Sequence, residues 1–146
     1  MQLTLYDLNP PIVRIYKESV ELIFGNEEFT IFPTSNEIER NGVLLDFKKA
    51  ERRYNKSFMF ERNKAMPKTQ LLRFDWENNV VQLDSGPDGR LFWKVWTRED
   101  YKTMRKPPFW VASYWYDVAD GFAKLYIKDL HKPAHRWDLI SGELME

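Results

Sequence analysis

The sequence predicts an all-β fold, an antiparallel sandwich or barrel of about nine to eleven strands with one or two short helices. Three observations predict it. Apolar and polar residues alternate along much of the chain, turn signals such as Asn41-Gly42 and Asp120-Gly121 recur at roughly 8–12-residue intervals, and aromatic residues make up 16% of the sequence. Aromatic side chains suit a pleated, half-buried surface better than a slender helix. A chain of 146 residues is the size of one domain with one core, so residues 1–146 are expected to form a single all-β domain.

The stretch 109–118, FWVASYWYDV, organises the rest, with five aromatic residues in ten positions and an Asp-Gly pair immediately behind it. A type I′ turn at Asp120-Gly121 matches strand twist and fixes a register. It sets Val118, Tyr116 and Tyr114 opposite Ala123, Leu125 and Ile127 on one apolar face that Ala112 and Trp110 continue. On the other face it sets Asp117 opposite Lys124, Trp115 opposite Tyr126 and Ser113 opposite Lys128. Opposite charges and an aromatic pair thus meet without adjustment.

From the N-terminus, alternation around Leu3 and Leu5 predicts a strand that Asn9-Pro10-Pro11 ends, since proline cannot donate to a ladder. A second strand follows at 12–16. Strands at 19–24 and 28–32 flank Gly25-Asn26-Glu27, with Val20, Leu22, Phe24, Phe29 and Ile31 on one face. Asn41-Gly42 joins strands at 37–40 and 43–47, placing Ile38 beside Leu45 and, at some cost, Glu37 opposite Asp46. Asp46 then caps a short helix with Phe47, Ala50 and Tyr54 on one face and Lys48, Lys49, Arg52 and Arg53 in water; a basic loop is the alternative. Residues 57–61 read as a strand.

Residues 71–97 read as a three-stranded meander. With Asn78-Asn79 as its first tip, Phe74 meets Leu83 and Trp76 meets Val81 inside, while Asp84 lies between Arg73 and Arg90 outside; Leu91, Trp93 and Val95 join the inner face. Thr97 then caps a helix whose first turn is acidic, running to about Arg105 before Pro107-Pro108. Residues 136–140 make the last strand.

Composition excludes several classes. The chain holds no cysteine, so thiolate catalysis, disulfides and cysteine-ligated metals are out. The N-terminal MQLTLYDLNPPIV lacks the basic start and long apolar core of a signal peptide, and no run of apolar residues is long enough to span a bilayer. A soluble, cytoplasmic protein is the expectation. Net charge is zero, but it is unevenly distributed: Lys and Arg exceed Asp and Glu by 5 over residues 46–68 and by 4 over 89–110, between acidic segments.

The motifs of nucleotide-binding loops, nucleophile elbows and zinc hydrolases are missing. His131 and His135 have the i, i+4 spacing of metal ligands, but Pro133 between them breaks a helix, and no metal or cofactor is expected. Asp120 serves its turn and Asp117 has Lys124 across the ladder, so with Asp138 they make a poor acid–base set. No catalytic residue is assigned.

What remains is a strand face carrying Arg90, Phe92, Lys94 and Trp96 on the meander and Trp115, Lys124, Tyr126 and Lys128 on the main hairpin. Large rings with cationic neighbours are the chemistry of protein hot spots, and also of single-stranded nucleic-acid binders, which stack bases and hold phosphates. The reading favoured is a non-catalytic interaction or assembly module that docks through this face onto a protein partner or its own copies. A single-stranded nucleic-acid-binding protein is the first alternative, weakened by the balanced charge. The second is a small β-barrel enzyme or ligand carrier with an internal pocket lined by Trp93, Tyr114 and Tyr116.

Overall fold

The structure, a computed structural model, describes residues 11–33, 35, 37–45, 69–86, 90–117, 122–130 and 132–145. The strands expected near Leu3 and at 57–61, the helix expected after Asp46 with its four cations, the Asp120-Gly121 tip and His131 lie outside the described residues. Within them the chain forms two antiparallel sheets and one short helix.

The first sheet is built from β1 (Ile12–Tyr16), β2 (Ser19–Phe24), β3 (Glu27–Phe32), β4 (Glu37–Arg40) and β5 (Val43–Leu44), in chain order. Its β4–β5 turn is set by residues that tolerate left-handed backbone. Asn41 (φ 49°) and Gly42 (φ 82°) both adopt it, as a type I′ tip requires. The Leu45 N–H accordingly donates to the Ile38 carbonyl at 2.9 Å, the neighbour pair expected from this turn. Between β2 and β3 the tip is only Gly25-Asn26, one residue shorter than expected, and β3 starts at Glu27. Val20, Leu22, Phe24, Phe29, Ile31 and Ile38 share the inner face and are buried.

The second sheet holds β6 (Thr69–Trp76), β7 (Asn79–Ser85), β8 (Leu91–Thr97), β9 (Trp110–Asp117), β10 (Phe122–Asp129) and β11 (His135–Asp138), again with consecutive strands as neighbours. Helix α1 (Arg98–Thr103) follows β8: the Asp100 N–H donates to Thr97 Oγ1 at 3.1 Å, the expected cap. The helix stops two residues before Arg105 because Met104 turns left-handed (φ 52°) and returns its N–H to the Asp100 carbonyl.

In two hairpins the register differs from expectation by two residues. The β6–β7 tip is Glu77-Asn78, with Glu77 at φ 54°, so Phe74 faces Val81 and Trp76 faces Asn79. In the main hairpin Phe122 pairs with Asp117, so Tyr116, Tyr114 and Ala112 oppose Ala123, Leu125 and Ile127. Strand side chains repeat every two residues, so both shifts change partners while keeping every residue on its predicted face.

The inner faces of the two sheets pack on each other as a sandwich; among the described residues no ladder joins them, so the closed barrel is set aside. Phe24 contacts Phe74, Trp76 and Trp93, each at 5.6 Å between ring centroids, and Trp110 at 6.2 Å. Phe29 stacks on Phe74 at 5.5 Å. At the rim the Arg40 guanidinium lies over the Phe74 ring at 5.1 Å while its Nε donates to Glu27 Oε2 at 2.8 Å, a hydrogen bond that holds the Glu27 carboxyl below its usual range. Among the described residues no helix is long and apolar enough to cross a membrane.

Gly25 combines two constraints. Its φ is +64°, and a Cβ there would lie 3.0 Å from Trp76 Cδ1 and 3.1 Å from Nε1. Gly42 also has positive φ, but nothing stands within 4 Å of its Cβ position. In urea denaturation Gly42→Ala should cost only the left-handed backbone term, about 1–2 kcal/mol. Gly25→Ala should cost more, because Trp76 must also shift; equal losses would show that the contact is unimportant.

Candidate interaction surface

Alternation along β8, β9 and β10 carries the predicted residues to the outer face of the six-stranded sheet. Phe92, Ser113 and Tyr126 form one row across the three strands; Gln82, Lys94, Val111 and Lys128 form another across β7 to β10. Trp115 sits beside Lys124, and Arg90 precedes β8 with its guanidinium 4.1 Å from the centre of the Trp115 ring. All eight residues therefore share one face, and the register shift rearranges them within it. Trp115 opposes Lys124, Tyr126 opposes Ser113, and Lys128 opposes Val111, in place of the expected Trp115–Tyr126 and Ser113–Lys128 pairs.

Accessibility divides the set. Phe92, Trp115, Tyr126, Arg90, Lys94 and Lys124 are half-buried and Lys128 is exposed. Trp96, expected to face solvent, is only 6% exposed: its ring meets the Tyr101 ring of α1 edge-on at 5.3 Å. Helix α1 thus folds back on the sheet and removes one ring from the open surface, a tertiary event that local patterning does not register.

The expected arginine pairs at Asp84 are also replaced. Asp84 lies opposite Phe92 and Gln70 in the ladders, not between Arg73 and Arg90, and its partner is Lys94, whose Nζ donates to Asp84 Oδ2 at 2.7 Å. Lys124 donates to Asp138 Oδ2 at 3.4 Å, while Asp117 falls opposite Phe122. Asp138 also accepts the backbone N–H groups of Ile140, at 2.9 Å, and Ser141; these and Lys124 hold its carboxyl below the usual range, Ile140 foremost.

Lys94 and Asp84 end a longer relay. Arg73 donates to the Tyr101 hydroxyl (2.9 Å), which donates to Gln82 Oε1 (3.0 Å); Gln82 Nε2 donates to Asp84 Oδ1 (2.8 Å). Each donor meets an acceptor, so the relay pins α1 to β7 while satisfying a carboxylate whose side chain is only 4% exposed. Tyr101 and Gln82 carry this contact and were missed by sequence reading, because their meeting depends on how α1 docks. Between α1 and the β6–β7 pair lies an open hollow of about 520 Å³ lined by Arg73, Asp75, Arg98, Tyr101 and Lys102, which adds to the cationic character of this side.

Trp93 and Tyr114 are packed in the core at 0% and 2% exposure. Among the described residues their indole N–H and hydroxyl find no partner in hydrogen-bonding geometry, and burial pushes the Tyr114 hydroxyl far above the phenol range. Tyr116 occupies the ladder position opposite Ala123. Among the described residues no group of three or more His, Cys, Asp or Glu side chains is arranged to hold a metal ion; His135 is exposed, its ring 5.9 Å from that of Trp137.

Removing one member of a desolvated ion pair leaves the other uncompensated. Asp84→Ala should therefore destabilise by roughly 3–5 kcal/mol in urea denaturation, whereas the double variant Asp84→Ala, Lys94→Met should recover a large part of the loss. Additive losses would mean that the pair is not coupled. No protein-family model matches the chain, and no curated protein or solved structure matches it.

Proposed function

We propose that this protein is a non-catalytic interaction or assembly module that docks, through the outer face of its six-stranded sheet, onto a protein partner or its own copies. The observation that carries the reading is the Arg90 guanidinium over the Trp115 ring at 4.1 Å, beside the half-buried rings of Phe92 and Tyr126 and the exposed Lys128. Stacked arginine and tryptophan offer a large contact area with little side-chain entropy left to lose, which is why such residues dominate protein hot spots. The core is filled by other side chains, so these rings are not needed to join the sheets.

A single-stranded nucleic acid would use the same rings but draws most of its affinity from phosphate neutralisation. On this face Lys94 and Lys124 are engaged by Asp84 and Asp138, which favours a protein partner.

Amine acylation of Lys128 tests the reading. In an extract of the cells that make the protein, Lys128 should react more slowly than in the dilute purified chain, and Trp115→Ala should restore the faster rate. Equal rates in the two settings would overturn docking at this face. Titration of a labelled single-stranded oligonucleotide at low and moderate salt provides the contrast: tight binding that weakens steeply with salt would reassign the face to nucleic acid.

A further inference from the structure

We infer that the partner is a second copy of this chain, met head to tail: the outer face of the five-stranded sheet of one copy seats on the outer face of the six-stranded sheet of the next. This rests on the docking reading above and adds the surface that completes it.

The two outer faces are opposite in charge. Across β1 to β4 the ladders align one arginine, Arg14, with Glu21, Glu28, Glu37 and Glu39. Across the six-stranded sheet they align Arg73, Lys94, Lys124, Lys128 and Arg136, with Arg90 stacked beside them, against Asp75, Asp84, Asp117 and Asp138. One face therefore carries an excess of three carboxylates and the other an excess of two cations. The whole chain is neutral, so copies can add without accumulating repulsion.

The faces also match in apolar character. The acidic face exposes Ile12 (54%), Tyr16 (45%) and Leu44 (54%) around its glutamates. The basic face presents the half-buried rings of Trp115 and Tyr126. Helix α1 covers part of that face over β7 and β8, so the contact lies chiefly over β9 to β11, where aliphatic groups and carboxylates on one side meet aromatic rings and cations on the other. Three open strands spaced at about 4.8 Å give a face of roughly 300 Å² in projection, which puts the contact in the weak, reversible class. Because each copy offers both faces, the contact is heterologous and the copies form a ring or an open stack rather than a two-fold dimer.

Sedimentation velocity of the full chain is the test, from about 1 to 200 μM in low and high salt. Mass should rise with concentration at low salt and return to the monomer at high salt. Glu28→Lys with Glu37→Lys, both at exposed positions, should stay monomeric at concentrations where the parent associates, as should Lys128→Glu with Arg136→Glu. An equimolar mixture of the two variants should regain mass, because each supplies the sign the other has lost. Unchanged thermal unfolding confirms that both variants fold.

A parent chain that stays monomeric throughout overturns the inference while leaving docking to a different protein untouched. So does association lost in the Lys128 variant but kept in the glutamate variant, which would preserve the basic face and remove the acidic one. Association indifferent to salt and to both reversals, as pairing through the β1 edge would give, also overturns it.

Discussion

Phe24 is the residue on which the sandwich depends. It sits on β2, yet four of the five rings around it, Phe74, Trp76, Trp93 and Trp110, belong to the opposite sheet. Most of these contacts are edge-on, the arrangement that sets a positive ring edge against a negative ring face, and each contributes about 0.5–1.5 kcal/mol beyond the area it buries. Among the described residues no backbone ladder links the sheets, so interdigitated side chains hold them together. Large rings fill the interlayer space, and the role of Gly25 follows from that density: the turn after Phe24 passes so close to Trp76 that a side chain there would have to displace the ring.

The faces of the sheets were legible in the sequence, and the strand partners less so. Val20, Leu22, Phe24, Phe29 and Ile31 declare one face by alternation alone, and Asn41-Gly42 declares a register because two successive left-handed residues leave the backbone little choice. Asp120-Gly121 suggested an equally definite register, but Phe122 pairs with Asp117, two residues away from it. Asn78-Asn79 misplaced a tip because Glu77, a residue with little preference for positive φ, takes the left-handed position. Both errors amount to two residues, the one displacement that leaves inside and outside unchanged.

The same distinction governs the candidate surface. That Arg90, Phe92, Lys94, Trp115, Lys124, Tyr126 and Lys128 share a face follows from parity and could be read from the sequence. Which charges meet follows from partner choice and could not. Lys94 takes the place assigned to two arginines at Asp84, and Asp138, distant in sequence, joins Lys124. The burial of Trp96 required knowing that α1 turns back over β7 and β8, which no local signal specifies. What the surface presents is thus the remainder after tertiary contacts have claimed part of the alternating pattern.

Within each sheet the described strands pair in chain order, and those of the five-stranded layer end at Leu44, while the rings of the other sheet that cover Phe24 lie between Phe74 and Trp110. During synthesis at about 5–20 residues per second, several seconds separate the emergence of that greasy surface from the arrival of its cover. Over that interval Leu22, Phe24, Phe29 and Ile31 have yet to meet the side chains of the second sheet that bury them. The simplicity of the topology, which lets each half organise locally, is also what leaves the first half waiting.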